Sequence, residues 1–239
     1  MQTLNKNKAL VLFSGGQDSA ISLAYALERY QSVETIGFDY GQRHAVELGA
    51  RSAIRKKYKD FSPKWDEKLG TDIIVDLNAL ARIGDSAMTD AREIEMLDNG
   101  LPNTFVPGRN LIFLSFAGAH AYRQDIGTLV AGMCQADYSG YPDCRDEAMQ
   151  AQLSALRLGM DADIDLDTPL MTIEKSESWQ LAEKLGGTTL VDLINEYSHS
   201  CYRGIRTKKF DWGYGCDDCP ACDLRKKGWE KYKQTFVDA

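Results

Sequence analysis

Ala9-Leu10-Val11-Leu12-Phe13-Ser14-Gly15-Gly16-Gln17-Asp18-Ser19-Ala20-Ile21 runs from an apolar stretch through a double-glycine turn into a helical pattern. Strand, tight turn and helix in that order form the place where an α/β protein holds phosphate. Adjacent glycines let the backbone approach an anion with no Cβ in the way, and the amides of Gly15 to Ser19 can point at phosphate oxygens. A helix starting near Asp18 adds its positive end to the same spot. Ser14 and Ser19 can donate hydroxyl hydrogen bonds. Asp18, a carboxylate beside phosphate, is repulsive unless a divalent cation bridges the two, so it predicts Mg²⁺. The plainer alternative is a strand-to-helix turn that binds nothing.

Outward from this stretch the chain alternates. Strands are expected at 9–13, 33–38, 71–75, 128–133 and 162–166, and helices near 18–30, 45–57, 111–123, 145–158 and 174–185. In the first helix Ala20, Ile21, Ala24 and Leu27 recur at helical spacing, while Glu28 and Arg29 fall outside the stripe. Alternation of this kind predicts an α/β fold, a doubly wound parallel sheet covered by helices on both faces. Its ligands collect beyond the carboxyl ends of the strands. The unusual loops fall there: Ser14–Ser19, then Asp39-Tyr40-Gly41-Gln42-Arg43-His44, then the segment from Cys134 to Arg145. Between Leu77 and Pro102 the pattern dissolves into polar and small residues with several acids, which reads as a mobile stretch: a lid, a partner surface or a partly disordered loop. We expect residues 1–190 to form the main domain and 191–239 a small C-terminal metal-binding subdomain.

The chain has 239 residues and 44% hydrophobic content, enough for a full α/β core. Its formal charge of −7 argues against a nucleic-acid surface. No apolar stretch approaches membrane-spanning length and the N-terminus lacks a signal-like apolar core, so a cytoplasmic location is expected.

Cys201, Cys216, Cys219 and Cys222 make the second strong pattern. Four thiolates with a C-x-x-C-x-x-C run suit one tetrahedral Zn²⁺ and leave no open position for catalytic water, so a structural zinc is preferred. Two disulfides, or a persulfide carrier among these cysteines, are the alternatives. Cys134 and Cys144 are candidates for reactive thiols or for small buried fillers.

The Ser14–Ser19 loop lacks the Walker A and dinucleotide patterns. It resembles the S-G-G-x-D-S loop of the ATP pyrophosphatases, enzymes that adenylate a substrate and release pyrophosphate. Together with Phe38–His44, the run Pro102-Asn103-Thr104-Phe105-Val106-Pro107-Gly108-Arg109-Asn110, the segment Asp137–Glu147 and the four cysteines, it resembles the 7-cyano-7-deazaguanine synthase family over nearly the whole chain. The interval between Cys201 and Cys216 is longer than that resemblance leads one to expect.

The resemblance implies ATP-dependent conversion of 7-carboxy-7-deazaguanine and free ammonia to 7-cyano-7-deazaguanine, on the way to queuosine-type nucleosides, by a homodimer with no direct nucleic-acid or membrane contact. It implies a phosphate cradle of Phe13, Ser14, Gly15, Gly16, Gln17 and Ser19, with Asp18 on Mg²⁺. Arg109, Lys175 and Arg145 would offset charge at the α-phosphorus. Arg43 and His44 would orient the carboxylate or move a proton from ammonia, although a lone histidine is more often structural. Phe105, Tyr138 and Tyr141 would stack on the flat base, and Asp137 or Asp143 would accept from its amino group, with Asp39 and Gln42 beside them. A tRNA sulfur-inserting enzyme sharing the adenylating loop, or a nucleotide-sensing zinc-ribbon protein, is the rival reading.

Overall fold

The structure is a computed structural model that describes residues 1–42, 46–82, 86–89, 92–98, 100–135 and 141–237. A first short strand β1 (Gln2–Thr3) leads to β2 (Lys8–Leu12), α1 (Gln17–Arg29), β3 (Ser32–Asp39), α2 (Val46–Phe61), α3 (Pro63–Lys68) and β4 (Leu69–Asp76). The chain continues through α4 (Arg109–Arg123), β5 (Thr128–Val130), α5 (Asp146–Met160), β6 (Ala162–Asp163), β7 (Asp165–Asp167), α6 (Lys175–Tyr197), β8 (Lys209–Phe210), β9 (Gly213–Tyr214) and α7 (Pro220–Tyr232).

The main sheet is parallel throughout, in the order β4-β3-β2-β5-β7. Chain order reverses at β2: successive strands march outward to β4 on one side and through β5 to β7 on the other. The crevice between the carboxyl ends of β2 and β5 is therefore the switch point at which such sheets bind ligands. Period-two alternation in β2 explains the layers. Ala9, Val11 and Phe13 face a core built with α1, α2, α3, α6 and α7, whereas Leu10 and Leu12 face a second core built with α4 and α5.

Three sequence expectations change in detail. The strand expected at 162–166 is two pieces, with β6 pairing to β1 and only β7 joining the main sheet. The helix expected to stop near residue 185 resumes after a kink at Gly186 and Gly187 and runs to Tyr197, so positions 190 and 191 both lie inside α6. Local propensity marks the glycines as an end, but Leu190, Val191 and Ile194 bury themselves in the first core and carry the helix on. The long interval after Cys201 contains the β8–β9 hairpin, whose Phe210 and Trp212 rings stack 4.8 Å apart against the cysteine cluster.

The described part of 77–102 is tied to the body through Asn103. Its Nδ2 donates to the Glu93 carbonyl at 2.9 Å, its Oδ1 accepts from Glu95 N at 3.1 Å, and its carbonyl accepts from Ala87 N at 2.9 Å. Met88 is buried. Among the described residues, no helix is long and apolar enough to cross a membrane.

Candidate active site

The turn after β2 is built from its own polar groups. Gly15 N donates to Ser19 Oγ at 3.1 Å, Gly16 N donates to Ser14 Oγ at 3.2 Å, and Ser19 Oγ donates to the Gly16 carbonyl at 3.1 Å. Gly15 sits at φ +100°, and a Cβ there would lie 2.5 Å from the Glu47 carbonyl oxygen. Left-handed backbone and the close approach of α2 both require glycine. His199, fully buried, donates its backbone N–H to the Gly15 carbonyl at 3.0 Å and so ties the turn to the segment after α6. Gln17 is buried and its Nε2 donates to Ser178 Oγ at 3.2 Å, which fastens the start of α1 to α6.

A cavity of about 300 Å³ opens beside this turn. Phe13, Ser14, Gly16, Gln17, Asp18 and Ser19 line one side of it. The first residue of α6, Lys175, lines it as well, with Nζ 2.6 and 2.7 Å from the two Asp18 carboxylate oxygens. From the opposite face Arg109, first residue of α4, lines the cavity above Tyr40 and Phe113, its guanidinium carbon 5.7 and 5.9 Å from their ring centres. Its Nη1 donates to Tyr40 Oη at 3.3 Å. Burial works against this charge, but Tyr40, Tyr141, Cys144 and Asp143 around it hold the guanidinium pKa above its ordinary value. A phosphate turn with a lysine on one wall and an arginine on aromatic rings on the other can bind a polyanion and a flat conjugated acid side by side.

The structure places the other sequence candidates unevenly. Gln42 lines the cavity, yet its amide is engaged: Nε2 donates to the Phe38 carbonyl at 3.2 Å and Oε1 accepts from Tyr40 N at 2.9 Å. Tyr141 lines the cavity, stacks on Phe105 at 5.5 Å, and shares a 2.6 Å hydrogen bond with Thr104 Oγ1. Phe105 stands behind it and is not part of the lining. Asp143 is buried and accepts from Asn110 N at 3.0 Å, which caps α4 and so positions Arg109 from behind. Asp39 accepts from Gly41 N at 3.2 Å and Arg145 is exposed at the start of α5; neither lines the cavity. Arg43, His44, Asp137 and Tyr138 lie outside the described residues.

Several lining residues escaped the sequence reading, among them Tyr40, Phe113, Tyr202 and Arg225. Arg225 is fully buried on α7. It donates to the Trp212 carbonyl at 2.7 Å, to Ser198 Oγ at 2.9 Å and to Ser200 Oγ at 3.2 Å. Burial lowers its pKa to about 10, with Asp18 and Cys222 opposing the shift, so it stays charged at neutral pH. A signal for it existed: Arg225 is one helical turn beyond Cys222, on the same face.

The four cysteines do come together. Cys201, Cys216, Cys219 and Cys222 hold their sulfurs within 4.8 Å of one another, with Cys216 and Cys222 3.8 Å apart. An ion about 2.3 Å from four tetrahedral sulfurs would set neighbouring sulfurs about 3.8 Å apart, so the cluster fits a four-thiolate metal centre. Cys219 N donates to Cys216 Sγ at 3.3 Å, and Asp217 takes a left-handed φ of +60° to close that turn. Hydrogen bonds from Cys219 and Cys222 lower the Cys201 pKa; the same neighbour pushes Cys219 up to about 12 and raises Cys222. One thiolate is welcome here and four need a cation.

The family model described as Queuosine biosynthesis protein QueC matches residues 8–233. The chain belongs to the QueC family. Among its curated relatives, a 7-cyano-7-deazaguanine synthase of Bordetella pertussis is 56% identical over 228 residues, covering 95% of this chain and 93% of the relative. A 7-cyano-7-deazaguanine synthase of Burkholderia multivorans is 58% identical over 232 residues, covering 97% and 95%. Of solved structures, a 4-thiouridine synthetase–RNA complex with bound ATP superposes with a TM-score of 0.51 at 16% identity. It covers 95% of this chain, which spans about half (51%) of that solved chain; the likeness is one of fold. For this QueC chain the parallel sheet, the phosphate turn and the cysteine cluster thus stand in one family frame.

Proposed function

We propose that this chain converts 7-carboxy-7-deazaguanine and ammonia to 7-cyano-7-deazaguanine at the expense of ATP. One observation carries the reading: the Ser14–Ser19 turn, Lys175 and the aromatic-backed Arg109 converge on a single cavity at the sheet's switch point, in a chain nearly superimposable in length with synthases of that name.

A free carboxylate does not react with ammonia at neutral pH, because oxide would have to leave. Adenylation supplies a leaving group: the carboxylate oxygen bonds to the α-phosphorus as the bond to pyrophosphate breaks. Ammonia then adds to the acyl carbon, AMP departs with its bonding pair, and loss of a proton gives the amide. Activation of the amide oxygen makes it a leaving group in turn, and loss of both N–H protons leaves the nitrile.

The amides of Gln17, Asp18 and Ser19 at the start of α1 receive the departing pyrophosphate, in a turn whose Gly15 and Gly16 N–H groups are held by Ser19 and Ser14 Oγ. Lys175 and Arg109 offset charge developing at phosphorus. Asp18 would hold Mg²⁺, which neutralises phosphate charge when bound. Tyr141 and the guanidinium plane of Arg109, itself laid over Tyr40 and Phe113, offer the base its faces. Arg43, His44, Asp137 and Tyr138 keep the substrate-orienting and proton-moving roles that the family resemblance implies. Zinc in the four-thiolate centre is structural and braces residues 191–239. We assign the enzyme to the cytoplasm, as a homodimer using free ammonia and making no direct nucleic-acid contact. Sulfur insertion is disfavoured because curated relatives similar over nearly the whole chain are 7-cyano-7-deazaguanine synthases and the four clustered thiols, gathered on one metal, cannot carry sulfur, although Cys134 and Cys144 line the cavity.

The test is incubation with ATP, Mg²⁺, ammonium and 7-carboxy-7-deazaguanine, with the nitrile read by mass. Wild-type protein should form it, and Asp18→Ala should not while remaining folded, at a lowered melting temperature because Lys175 loses its carboxylate. Absence of nitrile in wild-type protein that binds ATP overturns the assignment.

A further inference from the structure

Lys175 donates from Nζ to both carboxylate oxygens of Asp18, and neither side chain stands free in water, at 11% and 30% exposure. A cation in the first turn of α6 is electrostatically misplaced, because the helix's own N-terminal end is positive. It therefore needs an anion, and Asp18 supplies one. The stem is also held. A Cβ on Gly228 of α7 would lie 2.4 Å from Lys175 Cγ and 2.7 Å from its Cβ, so bare backbone presses on the lysine and directs it toward α1.

We propose that Lys175 fills the divalent-cation seat of Asp18 while the site is empty, so that the ion enters only together with phosphate groups that draw the ammonium away. The inference rests on the nucleotide reading above. With both carboxylate oxygens on an ammonium, the charge of the seat is offset and a hard dication brought to it is repelled until the ammonium moves. A polyphosphate brings several negative charges to the turn, gives Lys175 a stronger partner and releases both Asp18 oxygens to the metal. By linkage, ion and nucleotide raise each other's affinity by the same factor. The lysine is thus a binding-order device as well as a charge at the reacting phosphorus.

Mn²⁺ serves as the probe for Mg²⁺, because its preference for oxygen keeps it off a zinc-filled thiolate centre, and its free-ion paramagnetic resonance signal disappears on binding. Zinc-loaded wild type, Lys175→Met and Lys175→Arg are titrated with and without a non-hydrolysable ATP analogue, against a protein-free titration that gives the analogue's own binding of Mn²⁺. Without nucleotide, wild type and Lys175→Arg should bind Mn²⁺ weakly, and Lys175→Met at least about tenfold more tightly, the scale of one charge-assisted hydrogen bond removed. Adding the analogue should raise the wild-type Mn²⁺ affinity by a similar or larger factor. Nucleotide-free wild type binding Mn²⁺ as tightly as Lys175→Met, or unchanged by the analogue it has bound, overturns the proposal. Should Lys175→Met fail to fold, the two wild-type titrations decide alone. Wild type that does not bind the analogue, followed by its own calorimetric heat, refutes the nucleotide reading instead, and this inference with it.

Discussion

Replacing Gly228 by alanine should separate catalysis from folding. The added Cβ would sit 2.4 Å from Lys175 Cγ and 2.7 Å from Lys175 Cβ, where carbon atoms rest at about 3.5–4.0 Å, so the lysine stem or α7 must give by about 1 Å. Overpacking of that kind costs about 1–3 kcal/mol. Gly228 lies inside α7, and alanine there recovers about 1 kcal/mol of helix propensity. The two terms leave a net loss of about 0–2 kcal/mol, within what a marginally stable domain tolerates. The ammonium is affected more. A displacement of about 1 Å at reacting groups costs on the order of a hundredfold, equivalent to about 2.7 kcal/mol of barrier. Pyrophosphate release with saturating ammonium, read beside thermal melting, is the assay. A rate near wild type in a folded Gly228→Ala protein would refute the claim that α7 sets the position of Lys175; a rate loss matched by an equal loss of folded protein would do so too.

The remaining expectations concern metal and core. Removing the ion with a chelator, or changing Cys222 to serine, should lower the melting temperature and weaken ATP-analogue binding together, because Cys222 and Arg225 are one turn apart on α7; elemental analysis should find one zinc per wild-type chain. Acid should release the metal, since the thiolates must regain protons, and the release can be followed with a zinc-sensitive dye. Asp72→Ala leaves the Arg51 guanidinium, whose side chain is fully buried, without its carboxylate partner. Chemical denaturation should record a loss of about 3 kcal/mol, because a buried charge loses the carboxylate it donates to and keeps the weaker influence of Glu47.

Much of this molecule can be read from its residues taken in order. Alternation in β2 assigns Ala9, Val11 and Phe13 to one face and Leu10 and Leu12 to the other, since side-chain direction in a strand is a local property. The Ser14–Ser19 turn and the C-x-x-C-x-x-C run are likewise local: their spacing along the chain is nearly their spacing in space. Long-range placement is a different matter. Nothing near Lys175 in sequence announces Asp18, 157 positions earlier, and nothing near Gly228 announces Lys175. Helix α6 crosses its glycine pair because the core on the far side of the kink rewards burial, a term that propensity does not contain. Asp143, which the family resemblance assigns to the substrate, also accepts from Asn110 N at the start of α4, a contact that nothing nearby in the sequence announces. By itself, then, the sequence determined the sheet, the glycine turn, the cysteine cluster and the family. Which charged groups face one another across the cavity was decided only by tertiary packing, because helices that begin far apart in the chain bring their first turns to one point only once both cores are buried.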